Sequence, residues 1–525
     1  PWALAQAAPA AMILLAAAVS VVSFMYFYSH GMTNVYGDGI SHLNIARKAV
    51  DIIDHSIWQR YVQIGSPWLP LQTVLVMPLV ANDHLWRTGL AGSIVSMVCF
   101  VIAAASLYFI ARRIYANGES NSSRFLPILA VLIFILNPSA LYFQSTPMSE
   151  MVFMAALLAA VLMFQRWMSD QSWSRLSAAG AAMTVATLAR YEAWPVAAAA
   201  VLLVALLYNG GFSGRAKSAL IFALFAGLGP VYWLWHNHAI YGNALEFLDG
   251  PNSARGLYAQ NSSNLGWANI FVGHVLLDIL LMTVTVAVCV GPIVLLLAAI
   301  GAAKLVGVKR RRLHELVPVG LLAVPFLFHI LSLYRGEIQI FPLSAFGLLN
   351  VRYGIISLLP AAVLAPACIL SRRRLIVAAL VVALAGAQYG YMVSDGFSDL
   401  AVYQEGFRNG VNSRTSREIF RAADFLRSNP PKQLILMYSG ELGPIVPRGG
   451  LEFAEIIHEG TRQWWDFKDQ IPAAVETVIV EKGDELDHRL AANSALSKNL
   501  LDNFRERYRD GGITIFERVD SHASS

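Results

Sequence analysis

The chain has 525 residues, of which 56% are hydrophobic and only 14% charged, with a mean hydropathy of +0.52. That excludes an ordinary soluble protein and implies a polytopic membrane protein. The formal net charge of +5 makes no case for nucleic acid, because the basic residues fall in short clusters between apolar runs, where orientation in a bilayer accounts for them.

The first apolar stretch, roughly 8–28, is too long for a cleaved signal peptide and lacks a positively charged start, so it reads as a spanning helix. Further runs lie near 88–111, 125–140, 150–167, 175–190, 194–209, 217–235, 271–303, 315–333, 354–370 and 375–393. With about 20 apolar residues per crossing, these runs predict about eleven transmembrane helices. The run at 271–303 is long enough to be kinked at Gly291-Pro292. Arg112, Arg113 and Arg124, then Arg166 and Arg175, Arg215 and Lys217, Lys304 with Lys309 to Arg312, and Arg372 to Arg374 occupy every second connection. The positive-inside rule makes those connections cytoplasmic and puts 29–87, 141–149, 190–193, 236–270 and 334–353 on the exoplasmic side of a plasma (inner) membrane. An odd number of spans carries the C-terminal segment to that side as well. Cys99, Cys289 and Cys368 sit inside apolar runs without disulfide or zinc spacing.

Two domains are expected: 1–394 in the membrane, and 395–525 as a soluble exoplasmic α/β domain. In the second, Ser413 to Arg427 reads as a helix stopped by Asn429-Pro430-Pro431, Leu434–Tyr438, Thr477–Glu481 and Ile513–Glu517 read as strands, and Leu486–Arg509 reads as largely helical. The exoplasmic loop 29–87 holds a helix over roughly 39–54, with Ile40, Leu43, Ala46, Val50 and Ile53 on one face. Arg47, Lys48, Asp51 and Asp54 lie opposite, the pattern of a segment in the membrane interface.

The exoplasmic connections hold few charges, and ionisable groups at such depth are functional candidates by default. Asp38 stands between two glycines in Tyr36-Gly37-Asp38-Gly39, just after the first span. One reading is a general base that takes the proton of an acceptor hydroxyl, with glycines allowing close approach. The other is a helix cap. His42, one turn on, could join it on a metal, but a lone Asp/His pair is a weak metal motif, and no cofactor is expected. Glu150 opens a helix after Asn137-Pro138 and is either dipole compensation or a second acid. Arg190, in Arg190-Tyr191-Glu192, reads as a phosphate ligand or as an ion pair with Glu192 or Glu150. Arg352, beside Tyr353, is the favoured phosphate ligand, and Arg335 is its rival.

Together these stretches resemble the GT-C superfamily of integral-membrane glycosyltransferases, within the branch of dolichyl-phosphate-mannose protein mannosyltransferases and bacterial aminoarabinose transferases. The resemblance runs over roughly 8–393 and rests on Tyr36-Gly37-Asp38, Asn137-Pro138 to Glu150, Arg190-Tyr191-Glu192, Trp235 to Phe247 with Tyr241-Gly242-Asn243, and Arg352-Tyr353. It implies a GT-C-like fold and a polyprenyl-phosphate sugar donor, with transfer on the exoplasmic face and Asp38 as catalytic base. Protein mannosyltransferases carry Asp-Glu in this loop, whereas Gly39 follows Asp38 here, which weakens the case for a protein acceptor.

The expected reaction is a single inverting displacement that moves a sugar, for example a hexose such as mannose, from polyprenyl phosphate to a lipid, glycan or protein hydroxyl. Arg352, Tyr353, Arg190 and Arg335 are assigned to the donor phosphate, Asp38 and Glu150 to the acids, and Tyr36, His42 and Glu192 to substrate orientation. A ligase or polymerase using a diphosphate donor, and a lipid-sugar transporter or flippase, are the alternatives. Trp464-Trp465-Asp466 matches the acceptor-binding motif of oligosaccharyltransferases, but it lies deep in the C-terminal domain before Phe467-Lys468, and packing accounts for it better.

Overall fold

The computed structural model describes residues 2–115, 125–261, 270–308, 313–344, 347–369 and 374–519. Arg124, Lys309 to Arg312, Arg372 and Arg373, used above to orient the chain, lie outside the described residues. The chain is a multi-pass integral membrane protein. Among the described residues, Ala8–Ser29, Leu90–Tyr115, Glu150–Asp170, His314–Tyr334 and Val351–Ile369 are long and apolar enough to cross a membrane. Two broken pairs, Phe212–Ala226 with Leu228–Tyr241 and Val275–Val290 with Pro292–Val308, raise the number of spans to as many as 7.

Each of the eleven predicted runs falls on helix, but four of them, Leu126–Ile135, Trp173–Thr187, Ala193–Leu207 and Arg374–Met392, are not long apolar helices by the same measure. Ten residues of helix rise only about 15 Å, half of a hydrocarbon core. The kink expected at Gly291-Pro292 is a bend of 107°. Gly291 takes φ +97°, and a Cβ there would stand 1.6 Å from Gln388 Nε2. The Gln388 amide closes the break: its Oε1 accepts from the backbone N–H groups of Ile293 (2.5 Å) and Val294 (3.1 Å), and its Nε2 donates to Val290 O (3.2 Å). A buried helix break needs such partners, because lipid offers none.

The chain divides into two compact units, one of 1–33, 66–72 and 93–405, the other of 34–65, 73–92 and 406–525. The contact boundary thus falls after Glu405, and much of the first loop belongs to the same unit as the C-terminal segment. In the first unit the Glu150–Asp170 helix is buried along most of its length. Pro138–Phe143, Trp173–Thr187 and Val317–Tyr334 pack around it, so that its N-terminus opens into the interior.

Strands β1 (Phe341–Ser344) and β2 (Gly347–Leu349) form a hairpin in the first unit. The second unit carries a five-stranded sheet of β3 (Leu434–Met437), β4 (Ile456–Ile457), β5 (Val475–Glu481), β6 (Phe504–Asp510) and β7 (Ile513–Arg518). Its order is β4-β3-β5-β7-β6, parallel through β4, β3 and β5 and antiparallel through β5, β7 and β6. Leu436, Val478, Phe504 and Trp464 pack in its core, with Leu490, Leu496 and Leu500 from the helices. Trp464 is wholly buried there, capped by the Arg489 guanidinium 5.0 Å from its ring centroid. The helical expectation for Leu486–Arg509 holds to Asn503 and fails beyond it, where β6 forms an edge strand. The charges of Arg505, Glu506, Arg507 and Arg509 imitate a solvated helix face, but on an edge they guard against further pairing.

The helix expected over 39–54 spans Gly37–Val50, and its polar side is not solvated. Arg47 is 6% exposed and binds Asp51 (3.1 Å) and Asp83 (2.7 Å), while Lys48 reaches Glu459 (3.1 Å). The apolar face found the helix, but protein covers its charged side.

Burial, followed by the charges of Glu441, Asp484 and Glu418, pushes Glu481 up to about 7. Its folded-state value exceeds that of the unfolded chain, so its contribution favours folding at low pH and turns into a penalty as pH rises toward 7. Glu481→Gln therefore raises the melting temperature of the second unit at pH 8 and changes it little at pH 4.5. The gain is on the order of 1–2 kcal/mol after allowance for partial solvent screening. Equal shifts at both pH values, followed by thermal unfolding in detergent, would refute it.

Candidate active site

The polar stretch from Asn137 to Ser149 is buried in the first unit, so its hydrogen bonds have to be made internally. Asn137 accepts from Ala140 N (3.0 Å) to cap the Pro138–Phe143 helix, and donates to Cys289 O (3.1 Å). Gln72 donates to Pro147 O (3.1 Å), Ser93 to Ser145 O (2.9 Å) and Ser96 to Thr146 O (2.8 Å). This fixed turn delivers Glu150, 1% exposed, at the start of the central helix.

Arg190 faces it. Its Nη1 donates to Glu150 Oε1 (3.1 Å) and Ser149 Oγ (3.2 Å), and its Nε (2.9 Å) and Nη2 (2.8 Å) both meet Glu192 Oε1. The same Glu192 oxygen lies 3.2 Å from His329 Nε2. Burial pushes the Glu192 carboxyl up, but Arg190 and His329 more than offset it and hold it at about 2. The ion-pair reading of Arg190 therefore describes its geometry, and both carboxylates keep it charged.

Arg352 is placed differently. Asn350 takes the left-handed conformation at φ +60°, and the Glu405 carboxylate accepts from Asn350 N (2.9 Å) and Arg352 N (3.3 Å). The turn lies on the Val275–Val290 helix so closely that a Cβ on Gly354 would stand 2.5 Å from Thr285 O. From there Arg352 Nε lies 3.9 Å from Glu150 and 3.8 Å from Glu405, longer than a charge-assisted hydrogen bond, while Nη2 donates to Asn350 Oδ1 (3.3 Å). Tyr353 sits among the cations, 5.5 Å from the Arg190 guanidinium, 5.7 Å from that of Arg352 and 5.2 Å from the His329 ring.

Glu150, Glu192, Arg190, Arg352 and Tyr353, all expected from the sequence, thus gather in one buried cluster. Arg335 is in another group: it is 47% exposed and pairs with Glu337 (2.9 Å), which also binds Arg255 (3.1 Å). Tyr36, Asp38 and His42 belong to the second unit. There Tyr36 occupies the position before the Gly37–Val50 helix, and Asp38 lies in its first turn without being the cap residue. The helix dipole favours a carboxylate at that point. His42 is 5% exposed.

Sequence reasoning missed His329, Glu405 and Asp278. His329 and Asp278 had a signal, since each is an ionisable residue inside a long apolar run. Asp278 is fully buried, and neither carboxylate oxygen has a hydrogen-bond partner among the described residues. Glu405 had none, because it stands in a stretch of mixed charge.

Residues 83–235 match the family model described as dolichyl-phosphate-mannose-protein mannosyltransferase. The fold is that of ArnT from Cupriavidus metallidurans, solved bound to undecaprenyl phosphate. The two align over 97% of this chain and 98% of that one, with a TM-score of 0.53 and 14% identity. The apo state of the same protein aligns at a TM-score of 0.49, 15% identity, and 98% and 99% coverage. An oligosaccharyltransferase from Archaeoglobus fulgidus, tethered to an acceptor peptide, aligns over 99% of this chain and 75% of that one, at a TM-score of 0.47 and 10% identity. No curated protein sequence matches the chain.

Proposed function

We propose, from the premise of a GT-C glycosyltransferase fold with a mannosyltransferase-family segment at 83–235, that the chain transfers a sugar from a polyprenyl-phosphate donor to an acceptor hydroxyl. The observation that carries this reading is Arg352. It is a nearly buried guanidinium in the same cluster as Glu150, Arg190 and Tyr353, and its planar fork matches two phosphate oxygens. Arg190, clamped by Glu150 and Glu192, supports the site instead of binding the donor directly.

The donor's tail has a place in the same unit. A cavity of about 520 Å³ at the Gly291 break is lined by Val284, Ala287, Val288, Pro292, Tyr391 and Met392. Apart from the Gln388 amide its walls are mainly apolar, as an isoprenoid chain requires. Val284 and Val288 lie on the helix against which the Arg352 turn packs, so tail and phosphate ligands share a support.

Chemically, Asp38 takes the proton of the acceptor hydroxyl as it attacks the anomeric carbon, and the polyprenyl phosphate leaves with its bonding electrons. Arg352 meets the charge growing on the leaving oxygen. Glu150 Oε2, buried and without a hydrogen-bond partner among the described residues, is the second acid and meets a sugar hydroxyl. The anomeric centre inverts, as in other displacements where a base activates the nucleophile opposite the leaving group. Transfer takes place on the exoplasmic face of the inner membrane, and a hexose such as mannose is the first sugar to test.

Purified chain in lipid vesicles, given radiolabelled sugar on polyprenyl monophosphate, on polyprenyl diphosphate or on a nucleotide, is expected to use the monophosphate and release free polyprenyl phosphate. Turnover confined to the diphosphate would favour the ligase reading instead.

A further inference from the structure

The second unit carries a feature that the transfer chemistry leaves unexplained. Helix Gly37–Val50 is bound to the α/β fold along its whole length, at both ends, by contacts more specific than apolar packing. Before its first turn, Val35 and Tyr36 lie against glycines of the Ala401–Gly410 helix. A Cβ on Gly410 would stand 1.9 Å from Val35 O, and one on Gly406 2.6 Å from the Tyr36 ring. In the middle, Asn44 donates to Gly443 O (2.9 Å) and accepts from Trp86 Nε1 (3.0 Å). At the far end, Asp51 accepts from Phe453 N (3.0 Å).

The strongest tie is ionic. Lys48 Nζ donates to Ser439 Oγ (2.5 Å) and to Glu459 Oε1 (3.1 Å). Glu459 in turn accepts from Ser439 Oγ (2.5 Å) through Oε1 and from Ser439 N (2.8 Å) through Oε2. Every atom of this carboxylate that can accept is therefore used to fix Lys48 to the loop after β3. Burial raises the Glu459 carboxyl, and Lys48 and the neighbouring His458 overcome that and bring it to about 2, so the carboxylate stays ionised.

We propose that the α/β fold of 406–519 is the scaffold that sets the pose of the Asp38 helix, with Lys48, Ser439 and Glu459 as its positioning residues. This deepens the transferase reading and rests on it where it concerns rate. A carboxylate that must meet a hydroxyl proton at hydrogen-bond distance tolerates little rotation of its helix. Lys48 lies ten residues beyond Asp38 on the same rigid rod, so fixing it restrains the rotation and tilt of both.

The test uses full-length protein in vesicles and two readouts. Hydrogen exchange of Lys48→Met and Glu459→Gln is expected to rise in amides 37–50 while the five-stranded sheet keeps its protection. Lys48→Arg is expected to restore it. In transfer assays the same two variants should lower kcat about tenfold and leave the donor KM within twofold. In an Asp38→Asn background, which retains a residual rate, they should cause no further loss. Unchanged exchange over 37–50 would overturn the clamp, whatever reaction the protein catalyses. Raised exchange with unchanged kcat, or an equal tenfold loss in the Asp38→Asn background, would overturn the positioning role. Full activity of Asp38→Asn alone would remove the base assignment and leave the exchange result to judge the clamp.

Discussion

Asp38→Asn is expected to lower sugar transfer from polyprenyl phosphate by about 10²–10⁴-fold, the range that a positioned general base contributes. Donor binding should stay within about twofold, since no phosphate ligand changes. The amide is isosteric and still accepts a hydrogen bond from the acceptor hydroxyl, but it cannot take the proton. The helix itself should survive, because its cap position is Tyr36 and its anchors are Asn44, Lys48 and Asp51. Rate measurements over a range of acceptor concentrations, with donor binding measured separately, give the answer. A rate within threefold of wild type would take the base role away from Asp38.

The second large effect separates two arginines that the sequence presents alike. Arg190→Met leaves Glu150 and Glu192, 1% and 4% exposed, without their common cation. Breaking a buried pair from one side costs about 3–5 kcal/mol, so this variant is expected to lose most of its folded yield. Arg352→Met leaves Arg190 in place on both Glu150 and Glu192, so no buried carboxylate loses its closest cation, and the variant should fold. Its deficit lies in the donor: a charge-assisted hydrogen bond worth about 1.5–3 kcal/mol corresponds to roughly a 10- to 100-fold weaker hold on the phosphate. Size-exclusion profiles and donor titration of the two variants, side by side, read the difference. The reverse assignment, with a well-folded Arg190→Met that cannot bind donor, would exchange their roles.

The membrane spans were legible because apolar runs of that length have few other uses, and Glu150, Arg190, Glu192 and Arg352 were legible because charges at span ends are rare. What they do to one another was not. The pairing of Arg190 with Glu150 crosses 40 residues, and that of His329 with Glu192 crosses 137. No local pattern encodes such distances. The break at Gly291-Pro292 could be located, but its angle depends on Gln388, nearly a hundred residues later, which supplies the hydrogen bonds that a bent helix loses. The charged side of the Gly37–Val50 helix was misassigned for the same reason. Amphipathic spacing shows that one side is apolar, and cannot show that the other side meets protein instead of water.

The buried cluster is proposed to receive a lipid-linked phosphate through Arg352. A structure of the full chain with a polyprenyl phosphate bound tests it most directly. Phosphate oxygens are expected about 3 Å from the Arg352 guanidinium, with the Arg190 pairs to Glu150 and Glu192 intact and the tail along the Gly291 groove. A phosphate held at Arg335 or elsewhere, with Arg352 still turned toward Glu150 and Glu405 and the groove empty, would contradict it.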